Sequence, residues 1–177
     1  MFGKIDLLFF AVLTISLIAT LTDLLFNKIF NWLTFPALIA GVAYSCIQFG
    51  WIGLGQSFAG VALGFLLYGW MFAVGWLGAG DVKLLMALGA WGGWHYTVEV
   101  AFLGILIGGC LSLGLLILKG RLGSFLYRMR AFLLSLFVKE LEFHPLRVDA
   151  SLRMPFGISI GLAAIWNLLA HPLSIFS

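Results

Sequence analysis

Six apolar runs, most of them close to the length of a bilayer crossing, constrain this chain before anything else does. They extend roughly from Leu7 to Leu25, Ile29 to Phe49, Phe58 to Leu77, Val82 to Trp94, Val100 to Leu118 and Met154 to Ala170. A helix needs about 20 apolar residues to cross the hydrocarbon core. In lipid, a chain without alternating strand polarity satisfies its backbone polar groups only by forming helices. The composition agrees: 63% of residues are hydrophobic, 10% are charged and the mean hydropathy is +1.12. That leaves too little charge to cover a water-soluble surface. The fold class expected is an all-α membrane protein, a bundle of six transmembrane helices. The first run carries no small-residue cleavage site, so no cleavable signal peptide is expected. Cys46 and Cys110 lie in separate apolar runs and form no CxxC pair, which makes them core residues by expectation.

The placement of charge sets an orientation. Of the 10 Lys and Arg residues, seven fall between Leu118 and Met154: Lys119, Arg121, Arg128, Arg130, Lys139, Arg147 and Arg153. The positive-inside rule makes this connection cytoplasmic. Counting back across the runs, the loop at Asn27-Lys28 and the junction from Gly78 to Lys83 are cytoplasmic too. The loops at Gln48 to Gln56 and Gly92 to Thr97 then lie outside, as do both termini. Within the basic connection, Phe125, Met129, Phe132, Leu133, Leu136 and Phe137 follow a near-helical spacing. This predicts a cytoplasmic interfacial amphipathic helix between helices five and six. The organisation expected is one membrane-embedded domain over residues 1–177, with the 119–153 connection inside it. Trp51, Trp94 and Tyr96 fit an aromatic belt at the outer interface.

Two of the seven acidic residues stand apart. Asp6 and Glu99 lie near the outer ends of their helices, and Glu140, Glu142 and Asp149 lie in the basic connection. Asp23, in "TLTDLLFNK", and Asp81, in "GAGDVKLL", fall inside apolar sequence at one cytoplasmic depth. A charge at mid-bilayer costs at least about 2.5–3.5 kcal/mol, so such groups face the bundle interior and mark function. Two adjoining carboxylates can share a proton, one activating water while the other polarises a carbonyl. Gly78 and Gly80 could take unusual dihedrals and admit a substrate backbone beside Asp81. The simpler alternatives remain open: Asp81 as a helix cap, and Lys83 as a cation snorkelling to headgroups. Intramembrane carboxylates would equally suit proton or ion coupling in a non-enzymatic membrane or transport subunit. GAGDVK lacks the third glycine and the βαβ context of a dinucleotide site, and His95, His144 and His171 form no HExxH. No serine stands in a GxSxG setting. No metal, cofactor or nucleic-acid partner is expected; the oligomeric state is not legible.

Gly78-Ala79-Gly80-Asp81 followed by Lys83-Leu84 resembles the GxGDxK motif of the type IV prepilin peptidases, a family of membrane aspartic proteases. Three more stretches are similar: Asp23 with "NKIFNWLTFP" after it, "LMALGAWGG" along the GxGD helix, and "MPFGISIGLAA" at the last helix. The resemblance implies that Asp23 and Asp81 are the catalytic pair, with Gly78, Gly80 and Lys83 as motif residues around the second aspartate. It implies a substrate that is a prepilin or pilin-like precursor, whose short basic leader is removed at the cytoplasmic face of the inner membrane. Phe30 and Ile158 depart from the family pattern, standing where prolines are common. No counterpart of the zinc-binding cytoplasmic domain of longer members is present in these residues. The chain therefore looks like a short form similar to the peptidases of tight-adherence (Flp) pili, and N-methyltransferase activity is not expected. Archaeal preflagellin peptidases share the two aspartates and remain an alternative.

Overall fold

The computed structural model describes residues 2–120, 123, 127 and 156–170, without the side chains of residues 2–6. Among them every regular element is an α-helix: α1 (Phe2–Phe26), α2 (Asn31–Ala73), α3 (Ala79–Leu118) and α4 (Phe156–Ala170). Three stretches, Leu7–Phe26, Asn31–Ala73 and Ala79–Leu118, are long and apolar enough to cross a membrane, and α4 is a shorter apolar helix. The chain forms two compact units, Met1–Gly108 with Pro155–Ser177, and Gly109–Met154. All residues that bear on the site belong to the first. The expected amphipathic helix falls, apart from Tyr127, outside the described residues.

At 1.5 Å per residue, the 43 residues of α2 would make a rod about twice as long as the ~30 Å hydrocarbon core is thick. The helix does not stay straight. Gly50 sits at φ 61°, ψ −142°, and in α3 Gly93 sits at φ 75°, ψ −173°. Both lie in backbone space that essentially only glycine occupies. The consequence in α2 is visible in its hydrogen bonds. Ser45 and Ser57 both donate to the Ala90 carbonyl, at 3.2 and 2.8 Å. Twelve residues of straight helix would rise ~18 Å, so the arms on either side of Gly50 fold back on one another. In α3, Met86 faces Gly64 while the Ala101 carbonyl accepts a hydrogen bond from Tyr68, 2.9 Å away. Both arms of α3 thus reach α2 within about one turn of each other. The reversals anticipated as loops of several residues are each concentrated in one glycine.

Backbone contact holds the first arm of α3 between the arms of α2. A Cβ on Gly60 would run into the Gly89 carbonyl, and one on Gly64 would lie 3.1 Å from the Met86 Cα. On the other arm, Trp91 Nε1 donates to the Ala37 carbonyl at 2.8 Å, and its ring stacks on Tyr44 with centroids 5.3 Å apart. Close approach through small residues is what helices in lipid rely on, since lipid tails offer no hydrophobic drive for association. Helix α1 packs on α2 and along α4, where Gly161 lies against Thr20 and Ser16.

The burial pattern is that of a bundle in lipid. Ser16, Ser45, Ser57, Thr97 and Asn167 are buried, whereas Ile47, Ile52 and Trp51 are almost fully exposed. In water such an apolar surface would drive aggregation. Two expectations are corrected here. Cys46 and Cys110 are exposed free thiols, not core residues. Lipid-facing and core positions are both apolar, so composition alone could not separate them. Tyr96 is not in an aromatic belt: it is buried, and its hydroxyl donates to the Ala164 carbonyl at 3.1 Å. Glu99 is exposed, and it accepts a hydrogen bond from the buried Asn167 on α4.

The contact at Gly60 can be tested against an internal control. Gly60→Ala should destabilise the protein by about 1–3 kcal/mol, because the obstructing atoms are backbone and cannot swing away. Gly55→Ala, with nothing within 4 Å of an added Cβ, should be neutral or slightly stabilising. Unfolding in detergent, followed by circular dichroism, measures both. Equal effects would refute the packing assigned to Gly60.

Candidate functional site

Four helix ends meet around Asp23 and Asp81, and local chain chemistry explains each. Helix α1 stops because Asn27 adopts φ +50°, with its N–H on the Asp23 carbonyl at 2.9 Å. Asparagine tolerates this left-handed cap better than most residues. Asp23 is thereby left on the last turn of α1. The chain restarts at Phe30, the extended N-cap of α2, whose carbonyl accepts the N–H groups of Leu33 and Thr34. Phe30 holds φ −80°, close to the angle proline would impose.

The approach to Asp81 is equally determined. Past the end of α2, Gly75 takes φ +84°, its N–H reaching the Phe72 carbonyl while the Trp76 N–H reaches Met71. This paired 5→2 and 6→1 arrangement is a Schellman cap. It turns the chain so that Gly78 becomes the N-cap of α3. The Gly78 N–H donates to Asp81 Oδ2 at 3.0 Å, and the Asp81 N–H returns a bond to the Gly78 carbonyl at 3.1 Å. A carboxylate at the third helical position satisfying the N-cap amide is half of a capping box. Asp81 thus does act as a cap, which fixes one oxygen and orients the group.

Helix α4 supplies the fourth end. The backbone N–H groups of Gly157 and Ile158, in its first turn, face the Asp23 carboxyl as hydrogen-bond donors, and a helix N-terminus favours an anion there. Asp23 Oδ2 is buried and has no hydrogen-bond partner among the described residues. Asp23 and Asp81 are 5% and 8% exposed, and they are near enough to interact as charges. Both line a cleft of about 330 Å³, together with Lys28, Ile29, Asn31 and Gly78. In chemical terms, a carboxylate beside a protonated carboxyl group can activate a water molecule. Among the described residues no group of three or more His, Cys, Asp or Glu is gathered as a metal site.

The residues marked from the sequence do not all converge. Asp23, Asp81, Gly78 and Gly80 line the one cleft; Lys83 does not. Its exposed Nζ donates to Asn31 Oδ1 at 3.0 Å, joining the first turns of α3 and α2. The expected unusual dihedrals at Gly78 and Gly80 are not found: neither has a positive φ. The space at Gly80 is taken by Ile29, whose Cβ would lie 3.0 Å from an added Cβ, while Gly78 stays open apart from the Asp81 carboxylate. Ile29, Lys28, Asn31 and Gly157 are site residues that motif reading did not single out. The polar "NKIFN" loop was the signal for the first three and "MPFG" for Gly157, but their contacts depend on α3 and α4.

The Lys83–Asn31 bond makes a specific prediction. Being exposed, it should be worth less than about 1 kcal/mol. Lys83→Ala and Asn31→Ala should each lower the detergent unfolding midpoint slightly, and the double variant should be no worse than either alone. Additive losses would show that Lys83 acts on something other than Asn31.

With that geometry in place, the comparison with known families is informative. The model of the type IV leader peptidase family matches residues 9–113, more than half of the chain and a span containing both Asp23 and Asp81. No curated protein and no solved structure matches significantly. The long apolar helices and the family match agree on a membrane-embedded peptidase, and the chain belongs to the type IV leader peptidase family.

Proposed function

We propose that this protein is an aspartic endopeptidase that removes the short basic leader from type IV, Flp-like prepilins at the cytoplasmic face of the inner membrane. The observation that carries this reading is the convergence of Asp23 and Asp81. They come from different helices, both are buried, and both line one cleft. In this mechanism the ionised carboxylate takes a proton from water, which attacks the scissile carbonyl carbon. The protonated carboxyl hydrogen-bonds the carbonyl oxygen, and the peptide C–N bond breaks as the leaving nitrogen accepts a proton. The Gly78 amide on Asp81 and the α4 amides facing Asp23 would hold the pair in register.

The topology we propose has six crossings, with α2 and α3 each contributing two by reversing at Gly50 and Gly93. The last turn of α1 and the first turns of α2, α3 and α4 then share one membrane face. That face is cytoplasmic on the charge placement, with the basic 119–153 connection on the same side and both termini outside. A prepilin would present its leader junction at this depth, with its apolar helix in the bilayer.

Co-expression of a pilin precursor with wild type, Asp23→Asn or Asp81→Asn tests the reading. Each variant should insert normally and process precursor at least about 10²-fold more slowly. Retained processing in either removes that residue from the pair. Cleavage of preflagellin but not prepilin would reassign the substrate, and a wild-type protein that cleaves neither would favour a coupling role for the two carboxylates.

A further inference from the structure

Ile29 occupies a position that neither the family match nor the proposed chemistry explains. It stands in the short loop between α1 and α2, packs against the buried core and lines the cleft. A Cβ on Gly80 would lie 3.0 Å from its Cβ, and a Cβ on Gly157 would lie 2.7 Å from its Cδ1. The same added atom on Gly157 would lie 2.7 Å from Asp23 Oδ2. One side chain therefore fills the gap between the end of α3 that carries Asp81 and the end of α4 that faces Asp23. Its loop is fastened at both sides, by Asn27 to the Asp23 carbonyl and by Asn31 to Lys83.

We propose that Ile29 is a positioning residue: a spacer, seated against Gly80 and Gly157, that sets the separation of the Asp23 and Asp81 carboxyl groups. The inference rests on the proposed function only in assigning a consequence for catalysis; the spacing itself is a claim about geometry. A smaller side chain lets the two ends approach, and a larger one forces them apart. Either displaces a reacting geometry in which a 1 Å error can cost about 10²-fold in rate.

Two measurements test it on the full chain. The first is independent of activity. With Cys46→Ser and Cys110→Ser as background, Asp23→Cys and Asp81→Cys are joined by a short bifunctional thiol reagent. The cross-linking rate should rise with Ile29→Ala and fall with Ile29→Phe. A rate indifferent to residue 29 overturns the proposal. The second is kinetic, on the protein with both aspartates. Ile29→Ala and Ile29→Phe should each lower kcat by about 10- to 100-fold with KM little changed, while the isovolumetric Ile29→Leu recovers most of the turnover. An unchanged kcat, or a change confined to KM as for a simple substrate contact, overturns it. If Asp23→Asn and Asp81→Asn still process precursor, the aspartic reading fails instead, and the cross-linking order alone decides the spacer.

Discussion

The backbone-to-backbone approach of α2 and α3 is the contact on which the remaining structure depends. In lipid there is no hydrophobic penalty for two apolar helices standing apart, so association must come from packing and hydrogen bonds. Gly60 and Gly64 let α3 come close enough for such packing, and the Ala90 carbonyl then collects two serine hydroxyls from opposite arms of α2. With α3 seated between those arms, its first turn lies level with the start of α2. Ile29 then meets Gly80, and Lys83 meets Asn31.

At the site, the groups that end and begin helices are the ones that orient the acids. Asp81 satisfies the N-cap amide of its own helix, Asp23 meets amides from the first turn of α4, and Asn27 ends α1 four residues after Asp23. A buried acid is costly unless its oxygens find donors. Here the unpaired amides of helix termini, themselves costly when buried, supply those donors. Oδ2 of Asp23 is buried without a hydrogen-bond partner among the described residues.

How much of this was legible depends on the kind of contact involved. Asp23 and Asp81 stood out because a carboxylate inside apolar sequence is rare and expensive. The helical class followed from the apolar runs in the same way. The Schellman cap at Gly75 was missed, because the apolar run was read on to Leu77 although the helix ends at Ala73. By contrast, Lys83 could be read as a motif residue or as a snorkelling cation, and nothing in the sequence brings Asn31 beside it. Cys46 and Tyr96 were misjudged for a related reason. An apolar helix in a bilayer has no polar face to say which side is out.

The sequence by itself determined that the chain is helical, that it belongs in a membrane and that two aspartates are its unusual acids. These follow from composition and from the cost of charge and unpaired backbone in lipid, which need no knowledge of neighbours. Only the tertiary structure decided that one residue each, Gly50 and Gly93, suffices to reverse the long helices. It also decided that the room at Gly80 belongs to Ile29. Both depend on which backbones approach each other, and that is set by steric fit between segments far apart in the chain.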